Sequence, residues 1–133
     1  MSPSKKLKVF IADDSGFIRD RLPDMLSELS GIEVVGQAED GIQALNSIRI
    51  LNPDVVILDI RMPGKNGIEV LQELKKEKPR RVVIMLTNYP YPQYRKKCLD
   101  LKADFFFDKS ADFDQLFTLL KELNKRRSPH PKS

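Results

Sequence analysis

Residues 55–60, VVILDI, decide how this chain is read. A short run rich in β-branched residues, apolar at every position rather than at alternate ones, is the pattern of a strand covered on both faces. Asp59 interrupts it near its end. A carboxylate left unpaired in a core is costly, so either the strand reaches a solvent-facing edge at Asp59 or the carboxylate has a chemical task.

Outward from this run, a strand-then-helix unit recurs. LKVFIA (7–12) reads as the first strand, and after DDSG the residues Ile18, Leu22, Met25, Leu26 and Leu29 recur at helical spacing, with Pro23 predicting a kink. IEVVGQA (32–38) is a second strand, followed by a helix with Ile42, Leu45 and Ile48 facing inward. VVILDI leads through RMPGKNG, where Asn66 and Gly67 start a third helix bearing Ile68, Leu71 and Leu74. RVVIML (81–86) precedes the loop TNYPYP, with Pro92 expected in the first turn of a helix over 93–102. FFF (105–107) and a last helix with Phe113, Leu116, Phe117, Leu120 and Leu123 close the series, Asp112 and Gln115 forming a capping pair. Central apolar strands that each feed a helix indicate a doubly wound α/β domain with a parallel sheet.

Composition suits a single core: 133 residues, 41% hydrophobic and 32% charged. No apolar run approaches the length of a membrane span, and MSPSKKLKVF has no apolar leader region. The single cysteine, Cys98, forms no internal disulfide and reads as a small core residue; a reducing cytoplasm is the expected location. The net charge of +4 comes from basic residues scattered over KKEKPRR, YRKK and KRR, so a solvated surface is expected rather than a nucleic-acid face. RRSPHPKS (126–133), which includes His130, reads as a disordered basic tail after a domain spanning 1–125.

In such a sheet the loops after every strand gather along one rim, where ligands bind. That rim brings together Asp13 and Asp14, Asp59, Thr87 and Lys109. Two carboxylates about 4 Å apart repel by about 4 kcal/mol at an effective dielectric near 20, so the three acids need cations. Lys109 neutralises one charge, and the remaining two suit a divalent ion. An all-oxygen donor set favours Mg²⁺, with Mn²⁺ able to replace it. Carboxylates, a hard dication, an ammonium and a hydroxyl make a phosphoryl-transfer site in which a carboxylate can be the nucleophile.

IADDS, ILDIRMPGKNG, IMLT and ADFFFDK, in this order over residues 7 to about 125, resemble the receiver domain of two-component response regulators. Asp59, Met62, Pro63 and Gly67 meet that family's pattern around its acceptor. The resemblance implies a flavodoxin-like fold of five strands ordered 2-1-3-4-5. It implies that Asp59 accepts a phosphoryl group from a histidine kinase or histidine phosphotransfer protein, and that Asp13, Asp14, Asp59 and the Arg61 carbonyl hold Mg²⁺. Thr87 and Lys109 would bind the phosphoryl oxygens, and Phe106 would be the aromatic switch that turns inward as Thr87 is recruited. The output would be protein binding at the face made by the fourth helix, fifth strand and fifth helix, with no enzymatic activity beyond the domain's own phosphorylation and dephosphorylation.

The sequence also departs from the commoner pattern. Ser110 stands where many receivers have a proline after a cis bond, which before serine would cost about 3 kcal/mol. Asn88 replaces a small residue beside Thr87, and Arg61 and Tyr89 flank the expected path of hydrolytic water. Tyr89, Tyr91 and Tyr94, interleaved with Pro90 and Pro92, offer either a partner surface or rings packed over the helix edge. A dehalogenase-type phosphatase would want an acid where Arg61 stands, and no P-loop or dinucleotide fingerprint appears. A stand-alone receiver is expected; the alternative is a receiver excised from a longer regulator.

Overall fold

The computed structural model describes residues 6–127. VVILDI supplies the centre of a five-stranded parallel sheet ordered β2-β1-β3-β4-β5, the order that the resemblance implied. Its strands are β1 (Leu7–Ala12), β2 (Ile32–Ala38), β3 (Val55–Leu58), β4 (Val82–Thr87) and β5 (Phe105–Asp108). The intervening helices are α1 (Gly16–Leu26), α2 (Gly41–Leu51), α3 (Gly67–Glu77), α4 (Pro92–Asp100) and α5 (Phe113–Arg127).

The unbroken apolar run of β3 follows from its position between two helix layers. Val56 and Leu58 face a core shared with Ala44, Leu45, Ile48, Val70, Leu71, Leu74 and Cys98 of α2, α3 and α4. Val55 and Ile57 face the opposite core, with Ile18, Leu22 and Leu26 of α1 and Leu116 and Leu120 of α5. Successive side chains of a strand point to opposite faces, so both alternating sets must be apolar here.

Local sequence sets most helix boundaries. Asn66 caps α3 by accepting the Glu69 N–H at 3.0 Å, while Glu69 accepts the Asn66 N–H at 2.9 Å, a reciprocal capping box. Asp40 caps α2 by accepting the Gln43 N–H at 2.8 Å. Pro92 occupies the first turn of α4 as expected, although that helix ends at Asp100 rather than Lys102. Pro23 lies inside α1, which continues one turn past it to Leu26; Met25 and Leu29 are only half-buried.

One expectation about a side chain needs correction. Ile42 is 53% exposed, and α2 buries Gly41, Ala44, Leu45 and Ile48 instead. A Cβ on Gly41 would lie 1.9 Å from the Lys65 carbonyl oxygen, so this close approach fixes the rotation of α2 and turns Ile42 outward. Asp112 accepts the Asp108 N–H at 3.0 Å and the Gln115 side-chain amide at 3.2 Å, tying the start of α5 to the end of β5. Of the expected tail, Arg126 and Arg127 belong to α5, and residues 128–133, including His130, lie outside the described residues.

Candidate functional site

The parallel register carries past the strand ends and delivers the polar residues to one rim. Ala12 pairs with Leu58, and the Asp59 N–H donates to the Ala12 carbonyl at 2.9 Å. The Asp13 N–H donates to Ala38 at 3.0 Å, and the Lys109 N–H to Thr87 at 2.9 Å. Asp13, Asp59 and Lys109 thus stand on backbone held by the sheet ladder. Gly67 sits directly behind: its N–H donates to the Ile60 carbonyl at 2.7 Å, and a Cβ there would meet the Asp59 carbonyl oxygen at 1.8 Å.

Asp13 and Asp59 are only 1% and 4% exposed, whereas Asp14 is exposed. Each of the three offers a carboxylate oxygen within 4.8 Å of the others. The Asp59 Oδ1 accepts the Ile60 N–H at 2.7 Å, and the Asp13 Oδ1 accepts the Ser15 N–H at 2.7 Å. Lys109 Nζ lies 2.8 Å from Asp13 Oδ2 and 3.3 Å from Asp59 Oδ2. The contact to Asp13 is an ion pair without an aligned hydrogen bond, leaving the buried Asp13 Oδ2 with capacity for another ligand.

Electrostatics makes the same point. Burial and then the neighbouring Asp13 charge push the Asp59 carboxyl up to about 6, against the opposing pull of Lys109. Burial also raises Asp13, with Lys109 and the Ser15 N–H lowering it only in part. Burial disfavours the Lys109 ammonium, but its contacts with Asp13 and Asp59 outweigh that and hold its pKa above the ordinary lysine value. Three acids and one ammonium leave two negative charges at a pocket of hard oxygen donors. That donor set and the under-liganded Asp13 oxygen fit an oxygen-loving divalent cation.

Thr87 is fully buried, and its Oγ1 accepts the Tyr89 N–H at 2.9 Å. Asn88 is exposed next to it. The Arg61 guanidinium lies over the Tyr89 ring, 4.0 Å from its centre. Tyr91 stands between the other two tyrosines, 6.3 Å from Tyr89 and 5.6 Å from Tyr94, and is 46% exposed. The rings therefore pack over the start of α4 while one also faces solvent. Phe106 is 5% exposed and already inward, with the Arg95 guanidinium 4.8 Å from its ring centre. No local sequence signal pairs Arg95 with Phe106, since the register of α4 over β5 decides it. The Lys109–Ser110 bond is trans, and Ser110 turns back on Asp108 through its N–H and hydroxyl, both at 2.9 Å. Cys98 is fully buried, its thiol pushed up to about 11 by burial, which suits a core residue rather than a reactive one.

The model of the response regulator receiver domain family matches residues 9–121. The chain belongs to this family. It is 40% identical over 124 residues to a protein-glutamate methylesterase/protein-glutamine glutaminase of Alkalilimnicola ehrlichii, covering 88% of this chain and 32% of that protein. Among solved structures, it superposes on the response regulator domain of Thermotoga maritima CheB with a TM-score of 0.79 at 32% identity, covering 92% of this chain and 96% of that one. It also matches the CheX-CheY-BeF3-Mg complex from Borrelia burgdorferi with a TM-score of 0.80 at 28% identity, covering 90% of each chain. The receiver domain spans between 23% and 55% of the length of the curated relatives it matches. The methylesterases among them are enzymes, of which this chain matches the receiver portion. Among the described residues, no helix is long and apolar enough to cross a membrane.

Proposed function

We propose that this receiver domain takes a phosphoryl group on Asp59 and reports that state by binding another protein. The observation that carries the reading is the buried Asp59 carboxylate, 3.3 Å from Lys109 and within a 4.8 Å cluster with Asp13 and Asp14. Asp59 attacks phosphorus as the donor's bond to its leaving group breaks. Lys109 then turns from the carboxylate to a phosphoryl oxygen, and Thr87 exchanges its bond with the Tyr89 N–H for one to another oxygen. Asp13, Asp14, Asp59 and the Arg61 carbonyl would hold Mg²⁺ or Mn²⁺, which supplies charge neutralisation for the incoming phosphoryl group.

The donor is a histidine kinase or histidine phosphotransfer protein, and the setting is the cytoplasm. The receiver unit takes in the whole of α5. Recruitment of Thr87 draws on the β4–α4 loop, whose tyrosines and Arg61 lie beside α4. Arg95 and Phe106 link α4 to β5, which supports an output surface on α4, β5 and α5. No nucleic-acid or membrane contact is assigned. Phe106, inward in this structure with Arg95 beside it, is the aromatic switch coupled to recruitment of Thr87 on this reading.

Incubation with a small phosphodonor and Mg²⁺, read by intact mass, tests the assignment. The natural sequence gains one phosphoryl group only with the metal, and Asp59→Ala gains none. An equal gain in the variant would overturn the role of Asp59.

A further inference from the structure

At the end of the sheet opposite Asp59, a cleft of about 810 Å³ opens between the α2–β3 loop, the α3–β4 loop and the end of α5. Its floor is apolar, formed by Leu7, Val55 and Val82 where β1, β3 and β4 begin, and by Leu123 of α5. Four cations line it: Lys78, Arg80, Arg81 and Arg126. Lys78 Nζ and Arg81 Nη2 converge on one neutral acceptor, the Asn52 side-chain oxygen, at 2.5 and 2.8 Å. Arg81 is buried, its Nε donating to the Pro53 carbonyl at 3.0 Å, and burial holds its pKa below the ordinary arginine value. Among the described residues, none of the four cations is ion-paired to a carboxylate.

The two acids of the lining are engaged elsewhere. Glu77 is held by Arg49, which cancels its charge, and Asp54 accepts the Lys8 N–H at 2.8 Å. Asp54 still offsets one of the four cations. The carbonyl ends of α2, α3 and α5 lie at this rim, and at about half a negative charge each they offset about one and a half more. The positive balance that remains exceeds one charge, more than a single carboxylate would neutralise.

We propose that this cleft binds a small, soluble phosphate monoester whose ester group is apolar. The dianion supplies the counter-charge that the cations lack, and its three oxygens can be shared among the exposed Lys78, Arg80 and Arg126. The apolar group covers the floor made by Leu7, Val55, Val82 and Leu123. The volume lies within the roughly 300–1,000 Å³ common for small-ligand sites. The cleft is separate from the acceptor site, because Val55 begins β3 whereas Asp59 follows its last residue. Binding there involves no phosphoryl transfer and does not depend on Asp59.

The test titrates the full chain, in chelator, with three probes: hexyl phosphate, which has both halves, inorganic phosphate, which lacks the apolar half, and hexanoate, which carries a single charge. Backbone amide NMR shifts report where each binds and how tightly. Hexyl phosphate is expected to shift the amides of Asn52, Asp54, Lys78 and Arg80. It should bind about ten-fold more tightly than inorganic phosphate, the gain from burying roughly two methylene groups. Hexanoate should bind at the same amides but more weakly. The double variant Arg80→Gln, Arg126→Gln changes only exposed side chains, so it keeps its fold, and an unaltered thermal unfolding curve checks this. Its affinity for hexyl phosphate is expected to fall about five-fold, the loss of two exposed charge contacts. Absence of shifts at these amides, shifts centred on Asp13 and Asp59 instead, an unchanged affinity in the double variant, or hexanoate binding as tightly as hexyl phosphate would each overturn the proposal.

Discussion

Asp59 is held in an arrangement that works against its own charge. Its pKa is raised from 3.8 to about 6, chiefly by burial and then by Asp13. The folded protein therefore binds its proton more tightly than the unfolded chain does, and without metal it loses stability as pH rises from about 4 to about 6. At about 1.4 kcal/mol for each pKa unit, the penalty reaches about 3 kcal/mol at neutral pH. Asp59→Asn removes it. Urea unfolding in chelator is expected to show the variant more stable by up to about 3 kcal/mol near pH 8, with the gain shrinking towards zero near pH 4. A variant less stable than the natural sequence at the higher pH would contradict the strained carboxylate. Saturating Mg²⁺ should narrow the difference, because it neutralises the charge that the substitution deletes.

Arg61 and Tyr89 form the other residue pair whose effect can be measured. With the guanidinium 4.0 Å from the ring, they make one slab beside the acceptor. Replacing both by alanine opens the approach of water, and the phosphoaspartate lifetime is expected to shorten several-fold. Decay of the phosphorylated mass over time is the readout, and an unchanged lifetime would show that the slab does not screen the acyl phosphate.

At the scale of elements, α3 is bolted at both ends. Gly67 at its start presses on the backbone of Asp59, and Gly67→Ala must displace either the helix or the acceptor. The expected cost is about 1–3 kcal/mol, as for other overpacked sites, together with slower phosphorylation in the intact-mass assay. Wild-type stability in that variant would mean that the backbone gives way freely. Near the other end, Lys75 is 9% exposed and donates to Pro79 O at 3.1 Å, Arg81 O at 2.7 Å and Asp104 Oδ2 at 2.7 Å. Asp104 in turn accepts the Val83 N–H at 2.8 Å, so one ammonium joins α3 to β4 and to the start of β5. Lys75→Met keeps the stem but takes the donor from the Pro79 and Arg81 carbonyls and the counter-charge from the partly exposed Asp104, a loss of about 1–3 kcal/mol. Thermal or urea unfolding checks this, and a loss near zero would place the bond among exposed ion pairs of little worth.

Over the whole molecule, what was legible in the sequence follows from the range of the physics involved. The α/β layering was legible because burial on both faces writes continuous apolar runs such as VVIL, and helix periodicity is equally local. The site residues were legible because each ends a strand, and a parallel sheet must bring strand ends together. Ile42 misled because its spacing from Leu45 fits an inward face, whereas the rotation of α2 is set by Gly41 against Lys65, a contact distant in sequence. Lys75 with Asp104 and Arg95 with Phe106 were illegible for the same reason: each depends on how two elements meet. The trans bond before Ser110 was undecided because the family pattern and the cost of a cis bond before serine pull in opposite directions.

The central claim is that one carboxylate of three carries the phosphoryl group. Acyl phosphates are reduced by borohydride to alcohols, so phosphorylation with Mg²⁺, reduction and peptide mapping identify the acceptor directly. Position 59 alone is expected to become homoserine, within the peptide that contains VVILDI. Homoserine at position 13 or 14, or none at any position after a confirmed gain in mass, would contradict it.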